Sequence, residues 1–517
     1  MDANDFLSYT ADNVANNVAV KYKDTQYSYH VFLKRVRTLA AALSNFGVKR
    51  YDKVILVGDN CPEYIEVTFA CLWIGAISEH INVRYTPAKL CETIESSSAV
   101  LIFTTRNGLC DKFKQDLKRD VRVVLINNEN MQSNCDYDFD NFVETFNFEG
   151  RLESRYYFSE NDVCMQFYTS GSTGKPKGVL ITHKNIISLN MKMVVLSECR
   201  PDDKSLCVVP FFHIALITVF HTFFMGSTLV ISPSTKVEEI VELFISEKIS
   251  RTVLVPTLMK SIVMYLQSHG LCIKSLQHIS YAGAPITKEL LNDCMRQLPD
   301  CKFSQGYGMT ETTGTVTLLN AKHHEDPTKL GSVGKAIVGN RIKIISEDGK
   351  ECKAKEVGEI VVCSDTVMKG YTDHALSEAV LKNGWLHTGD IGYLDENDFL
   401  YIVGRKHDMI ISGGENIFPE EIANCIRKMS PEIVDVQVLG LPHQSWGEAV
   451  TVAAVMHEKS TIGKKEIMEY CRNELDAFKQ PKDIFFVEKM PYKEMGKLDR
   501  EGLKTLLLDM KKEVFER

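Results

Sequence analysis

Tyr168-Thr-Ser-Gly-Ser-Thr-Gly-Lys-Pro-Lys-Gly-Val179 is the most informative stretch of the chain. It follows a strand-like run at 163–167. Gly171, Gly174 and Gly178 permit close backbone approach, and the hydroxyls of Thr169, Ser170, Ser172 and Thr173 offer hydrogen bonds. Lys175 and Lys177 add positive charge. Exposed backbone N–H groups and ammonium groups complement anionic oxygens, so this composition suits a polyphosphate. It is not a Walker loop, which needs Ser or Thr after Gly-Lys; Pro176 stands there. By composition alone, a Ser/Gly/Lys/Pro mixture also fits a surface linker.

Around this loop, β-branched runs recur at steady intervals. Lys53–Val57, 100–103, 121–126, 206–209, Thr228–Ile231 and 252–255 read as buried strands. Amphipathic stretches of helical period lie between them, at Tyr29–Phe46, 63–73 and 237–247. Strands alternating with helices predict an α/β fold of stacked, mainly parallel sheets with helices on their faces. Residues 128–160 are polar and acidic and read as a loop-rich connection. Near residue 330 the character changes: 332–345, 359–363 and 391–403 look like shorter, partly antiparallel strands. Asp395-Glu-Asn-Asp398 fits a hairpin turn. After Gly404 the chain restarts as a small α+β domain, with a helix from Pro419, strands at 434–441, 450–455 and 484–487, and helices at 464–475 and from Asp499. The expected division is an N-terminal domain at 1–404, with α/β subdomains to residue 330 and a β-rich subdomain at 331–404, then a connection at 405–408 and a C-terminal domain at 409–517.

The 517 residues are 44% hydrophobic and 25% charged, which excludes a disordered chain, a collagen-like chain and a small disulfide scaffold. Lys and Arg total 60 against 68 Asp and Glu, a net charge of −8, and no nucleic-acid partner is expected. None of the 15 cysteines lies in a CxxC pair, so they read as reduced thiols of a cytoplasmic protein. Neither the N-terminal residues nor Phe515-Glu-Arg517 carries a secretory, peroxisomal or prenylation signal. The apolar run 208–225 has the length of a membrane span, but it contains Pro210, His213, Thr218, His221 and Thr222. It reads as a strand end and helix in a core, and no membrane partner is expected.

Four further segments stand out: Tyr281-Ala-Gly-Ala-Pro285, Gln305-Gly-Tyr-Gly-Met-Thr-Glu311, Gly384-Trp-Leu-His-Thr-Gly-Asp390 with Gly404-Arg405, and Met490-Pro-Tyr-Lys-Glu-Met-Gly-Lys497. Together with 169–178, and in this order, they resemble the motifs of the adenylate-forming enzymes, which include acyl- and aryl-CoA ligases, luciferases and peptide-synthetase adenylation domains. The resemblance runs from about residue 25 to about residue 503. It implies a large N-terminal domain and a small, mobile C-terminal one. It also implies ATP, Mg²⁺ and coenzyme A as ligands and a small carboxylic acid as substrate.

The roles it implies fall on numbered residues. Thr169, Ser170, Gly171, Ser172, Thr173, Gly174, Lys175 and Lys177 would cradle the phosphates, with Thr169 also near the metal. Gly283, Ala284, Pro285, Gln305, Gly306, Tyr307 and Gly308 would line the adenine site, with Tyr307 stacked on the base. Thr310 would contact the α-phosphate and Glu311 would help hold Mg²⁺, since a carboxylate suits a hard cation already bound to phosphate. Asp390 would accept from the ribose hydroxyls, and Arg405 would add a nucleotide contact. Lys497 is the implied catalytic lysine, neutralising charge at the α-phosphorus. His213 would stand beside the acyl pocket as a second catalytic residue, and Gly413 and Gly414 would admit the pantetheine arm of the thiol.

The chain departs from the family pattern at the hinge, where His407 stands in place of the usual Asp or Lys. A titrating hinge and a plain neutral substitution are both open readings. Lys493-Glu-Met495 also replaces the more usual basic-Thr-polar stretch before Lys497. Pro210-Phe-Phe-His-Ile-Ala215 contains no acid, which disfavours an α-amino acid, because its ammonium group would be buried unpaired. Phe211, Phe212, Phe220, Phe223 and Phe224 fit either an apolar pocket for a fatty or aromatic acid or plain core filling. The thiol acceptor is CoA or, as the alternative, the phosphopantetheine of an acyl carrier protein. A non-catalytic adenylate-binding protein is the remaining reading, opposed by the joint presence of Lys497, Glu311, Asp390 and Arg405.

Overall fold

The structure, a computed structural model, describes residues 3–126, 135–147, 158–170, 176–284, 286–413, 415–492 and 498–515. The chain forms two compact units. The first comprises residues 1–330, 334–341 and 362–386; the second comprises 331–333, 342–361 and 387–517.

Two sheets build the first unit. In the nine-stranded sheet the order is Lys335–Ala336, Gly314–Leu319, Lys302–Met309, His278–Tyr281, Arg251–Leu254, Lys204–Cys207, Thr228–Ile231, Val18–Tyr22 and Thr25–Ser28. Its interior pairs are parallel and its edges antiparallel. In the eight-stranded sheet the order is Gly370–Tyr371, Pro176–Thr182, Val163–Ser170, Ile77–His80, Lys53–Val57, Leu101–Thr104, Arg122–Leu125 and Tyr137–Asp138. Helices cover both faces of a parallel sheet, which explains why these strands read as apolar runs without alternation.

Helix ends follow local chemistry. Tyr29–Phe46 starts where Ser28 accepts from the Val31 N–H and stops at Gly47, whose N–H caps Leu43 and Ser44. Pro62–Ile74 starts on a proline and is buried on every side. Its Phe69 meets Phe220 at 4.7 Å and Phe223 at 5.4 Å, and Phe32 stacks on Phe223 at 5.2 Å. The phenylalanines of 208–225 therefore fill core: Phe220 and Phe223 pack between helices, Phe211 lies on Tyr64, and Phe224 stacks on Phe6. No helix among the described residues is long and apolar enough to cross a membrane.

Strand Trp385–Leu394, in the second unit from His387 on, forms a hairpin with Leu400–Arg405 that turns at Asp395, whose carboxylate accepts from the N–H groups of Asn397 and Phe399. A separate sheet is built on Ile433–His443 paired antiparallel with Gly447–Met456, with Asp483–Phe486 alongside. Its two faces bury separate cores. Val436, Val438, Val450 and Val452 pack with Ile422, Ile426 and Ile467, while Leu439, Leu441 and Phe485 pack with Leu503 and Leu507.

One expectation gains detail and one needs correction. Within the stretch 128–160, Phe139–Phe146 is a helix capped by Asp138, and it buries Phe139 and Phe142. The charged residues of its outer face masked that apolar spacing. The cysteines are not all free, because Cys110 and Cys135 are joined in a disulfide with their Cα atoms 5.2 Å apart.

Phe223→Ala should cost the first unit about 3–5 kcal/mol, as truncation of a fully buried aromatic does. Tyr9→Ala, at a ring 69% exposed, should stay within about 0.5 kcal/mol. Chemical denaturation followed by tyrosine and tryptophan fluorescence measures both.

Candidate active site

Strand Lys302–Met309 continues beyond its parallel neighbour and folds back against Gly314–Leu319. Gln305–Met309, with its two glycines, is the last part of this strand. The glycine serves the return: a Cβ on Gly308 would stand 1.7 Å from the Gly314 carbonyl oxygen. Next come the Thr310–Thr312 turn and Thr313 in the left-handed region. The Thr312 hydroxyl lies 3.0 Å from the Met309 carbonyl and 2.7 Å from that of Gly314, and Thr313 donates to the Thr366 carbonyl at 2.6 Å. Glu311 is thereby held on a rigid turn.

Gln305 pairs in register with Tyr281, the last residue of the adjacent strand, and Gly283 and Ala284 follow it. The Tyr281 hydroxyl meets His324 Nε2 at 2.8 Å, and His324 Nδ1 lies 2.8 Å from the Asn320 carbonyl. The ring must therefore donate from Nδ1 and accept at Nε2. Burial lowers the His324 pKa, which keeps it neutral for that relay.

The hairpin Val163–Ser170 and Pro176–Thr182 places Thr169 opposite Lys177 and Tyr168 opposite Gly178. Tyr168 donates to Glu79, a fully buried carboxylate that also accepts from Ser97 and, at 3.0 Å, from Gln166 Nε2. Burial, with the Glu79 charge behind it, pushes the Tyr168 phenol well up, so it remains a donor. Gly178 sits tightly in the pairing: a Cβ there would meet Gln166 Nε2 at 2.8 Å and Thr372 Cγ2 at 2.9 Å.

A short strand fastens the two sheets together. Gly370–Tyr371 pairs with Val179 and Leu180, and the Thr372 N–H donates to the Gly178 carbonyl at 2.8 Å. From this strand the Tyr371 hydroxyl donates to Glu311 Oε1 at 2.8 Å, while the Met368 N–H donates to the Glu311 carbonyl at 2.9 Å. The Lys177 ammonium lies 5.6 Å from the centroid of the Tyr371 ring. Lys177, Thr169 and Glu311, far apart in sequence, are thus carried on one laced edge. His213 caps the turn Ile214–Leu216, its Nδ1 accepting from the Ala215 N–H at 3.2 Å, so a neutral ring carries its proton on Nε2. Asn60 fixes the preceding backbone by donating to the Val209 carbonyl and accepting from the Phe211 N–H, each at 2.8 Å.

In the second unit, Asp390 and Arg405 are cross-strand partners, Arg405 Nε lying 3.0 Å from Asp390 Oδ1. Asp390 is 4% exposed. His407 is exposed and 3.5 Å from Asp408, which also pairs with Arg500 at 3.1 Å. Gly413 takes a positive φ of 62° and donates to the Trp446 carbonyl at 2.9 Å. Gly171, Ser172, Thr173, Gly174, Lys175, Pro285, Gly414 and Lys497 lie outside the described residues.

Glu311 fits a hard cation. One carboxylate oxygen is held by a neutral phenol, and among the described residues no cation pairs with it. Nor do the described residues contain a group of three or more His, Cys, Asp or Glu able to hold a metal. A single carboxylate plus phosphate oxygens is the usual arrangement for Mg²⁺. Tyr371, Glu79, Asn60 and His324 are not legible as site residues in the sequence. Glu79 and His80, two ionisable residues in a buried strand, were the one available signal.

Residues 7–372 match the family described as AMP-binding enzyme, and residues 425–497 match the AMP-binding enzyme C-terminal domain. The chain is 30% identical over 483 residues to a feruloyl-CoA synthase of Amycolatopsis sp, covering 93% of this chain and 94% of that protein. Among solved structures it resembles the o-succinylbenzoate CoA synthetase of Bacillus subtilis in complex with its acyl-adenylate intermediate, with a TM-score of 0.83 and 27% identity over 96% of this chain and 97% of that one. The same enzyme with ATP and magnesium matches with a TM-score of 0.83 and 27% identity, covering 96% of this chain and 99% of that one.

One buried imidazole next to the site gives a pH prediction. His80 stacks on Phe167 at 4.6 Å, with Tyr64 and Ser78 hydroxyls 3.0 Å from its two nitrogens. Burial lowers its pKa to about 3. Between that value and the ordinary imidazole value of about 6.5 the unfolded chain binds the extra proton, so stability falls as pH falls through this window. Denaturation midpoints should decline from pH 6.5 towards pH 4, and His80→Gln should flatten that decline. An unchanged slope would show that His80 is not responsible.

Proposed function

The chain belongs to the AMP-binding enzyme family, and on that premise we propose that it is an ATP-dependent carboxylic acid–CoA ligase. The observation that carries the reading is the laced edge on which Thr169, Lys177 and Glu311 meet. It offers a hydroxyl, an ammonium and a carboxylate with no cationic partner among the described residues, the set a metal–triphosphate needs. Three features are then assigned by family position: Asp390 and Arg405 to the ribose, Tyr307 to the adenine, and Lys497 to the reacting phosphate.

In the first half-reaction a carboxylate oxygen of the acid attacks the α-phosphorus of ATP. The bond from that phosphorus to the bridging oxygen breaks, leaving an acyl-adenylate and pyrophosphate. Both reactants are anions, so the work of the site is electrostatic. Glu311 would hold Mg²⁺, and the positive charge of that ion would ease this approach. Lys177, on its strand, attracts the phosphates, and Lys497 offsets charge growing at phosphorus and orients the attacking oxygen. In the second half-reaction a thiol sulfur attacks the acyl carbon, its proton leaves to solvent, and the acyl–oxygen bond to AMP breaks. A hinge at 405–408 would exchange Lys497 for Gly413 and Gly414 between the two steps.

An aromatic acid is the favoured substrate class. The phenylalanines of 208–225 fill core and give no support for an acyl pocket. Support comes instead from the relatives, which act on feruloyl and o-succinylbenzoyl groups. A cytoplasmic location suits the thirteen free cysteines, while the Cys110–Cys135 bond counts against it.

The test is acid-dependent pyrophosphate release from ATP and Mg²⁺ over cinnamic, benzoic, fatty and amino acids, with CoA thioester followed by mass spectrometry. A thioester of one acid class is the expected result. Adenylate without thioester would move the acceptor to a carrier protein, and silence across the panel would sink the ligase reading. Lys497→Ala should slow pyrophosphate release about 10²–10³-fold and change CoA attack on preformed adenylate far less. Intact release would remove Lys497 from its role.

A further inference from the structure

Glu311 is the metal-directed carboxylate of the reading above, yet nothing in its own segment fixes the direction of its side chain. The turn 310–312 orients its backbone alone. The side chain is aimed from sixty residues away, where Tyr371 donates to Oε1 at 2.8 Å.

Tyr371 is itself over-determined. Its backbone pairs with Val179, its N–H donates to Ser377 Oγ at 2.8 Å, and its neighbours Lys369 and Thr372 donate to the carbonyls of Leu180 and Gly178. The residue is buried. One face of the ring meets the Lys177 ammonium at 5.6 Å. Lys177 and Glu311 are therefore both in contact with one tyrosine, and they form no ion pair with each other.

We infer that Tyr371 is a positioning residue of the metal–nucleotide site. Its hydroxyl occupies one oxygen of Glu311 and turns the other towards the cation, and its ring face seats Lys177 for the phosphates. The inference rests on Glu311 as the metal's protein ligand. Hydrogen-bond partners of metal ligands fix ligand orientation, and their loss weakens metal affinity about 10–100-fold. An ammonium over a phenol ring is held without being neutralised.

The two halves of the role can be separated. In the full chain, Tyr371→Phe keeps the ring and removes the hydroxyl, while Tyr371→Leu removes both. Electron paramagnetic resonance of Mn²⁺ titrated into enzyme saturated with a non-hydrolysable ATP analogue reads the metal. Calorimetry of the same analogue in EDTA reads the nucleotide alone, and a thermal melt reads folding.

Tyr371→Phe should weaken Mn²⁺ binding about tenfold or more while leaving EDTA binding and the melt unchanged. Tyr371→Leu should weaken both the metal and the metal-free nucleotide. Glu311→Gln separates the inference from its premise. If Glu311→Gln weakens Mn²⁺ and Tyr371→Phe does not, Tyr371 has no positioning role. If neither changes Mn²⁺ binding, the assignment of Glu311 falls as well. If Tyr371→Phe lowers Mn²⁺ affinity, EDTA binding and melting temperature together, its role is structural and the inference is overturned.

Discussion

The backbone pairing of Gly370–Tyr371 with Val179 and Leu180 is the contact on which the proposed nucleotide site of the first unit depends. Two sheets of separate topology must present their groups to one small ligand. Packing alone sets their spacing, through a core in which Phe69 and Phe223 pack against each other. Packing is non-directional, and a triphosphate needs directions. The short strand supplies them. It is hydrogen-bonded to the hairpin Val163–Thr182 on one side, and through Met368 and Tyr371 it reaches the Glu311 turn on the other. A shift of either sheet against the other would break backbone bonds rather than slide side chains. Gly178 shows how close the fit is, since any side chain there would displace both Gln166 and Thr372.

Beneath the same hairpin, the Glu79 cluster shows what that rigidity requires. Glu79 is a buried carboxylate served by three neutral donors from Ser97, Gln166 and Tyr168. Hydrogen bonds to a charged group contribute about 1.5–3 kcal/mol each, but a buried charge that loses one keeps its desolvation cost. The cluster is therefore held as a set. Tyr168, directly before Thr169, cannot leave without stranding that charge. A buried ion pair would hold as firmly, as Arg35 and Glu66 do at 2.6 Å in the same unit. It would also bring a fixed cation close to the proposed phosphate site. Neutral donors anchor the hairpin without adding a fixed charge beside Lys177.

The parts of this architecture that were legible in sequence are those whose cause is local. Thr228–Ile231 is a buried strand because its own residues are apolar, and Tyr29–Phe46 begins and ends where Ser28 and Gly47 dictate. Lys177, Glu311 and Asp390 stood in ordered motifs, so they were nameable before their surroundings were known. What was not legible depends on partners distant in sequence. Gly308 is required by the close approach of Gly314 across the hairpin, a partner its own segment does not reveal. The phenylalanines of 208–225 had two readings until Phe32 and Phe69 were found against them. Cys110 gave no hint of Cys135, 25 residues on. Tyr371 had no signal at all, because its importance lies wholly in Glu311 and Lys177.

The charge arrangement follows from a conflict in the chemistry. A chain of net charge −8 must bring a carboxylate to a triphosphate, so attraction has to be local. A lysine and a glutamate placed side by side for this purpose would neutralise each other first. Their Coulomb attraction at about 4 Å reaches about 4 kcal/mol at the surface of a protein. The ligand would then have to break that pair before it gained anything. Here a neutral aromatic residue stands between them, offering a hydroxyl to the anion and a ring face to the cation. Each charge is held in place while remaining unspent, so the free energy of bringing metal and phosphate together is available to the ligand and not consumed in opening the protein.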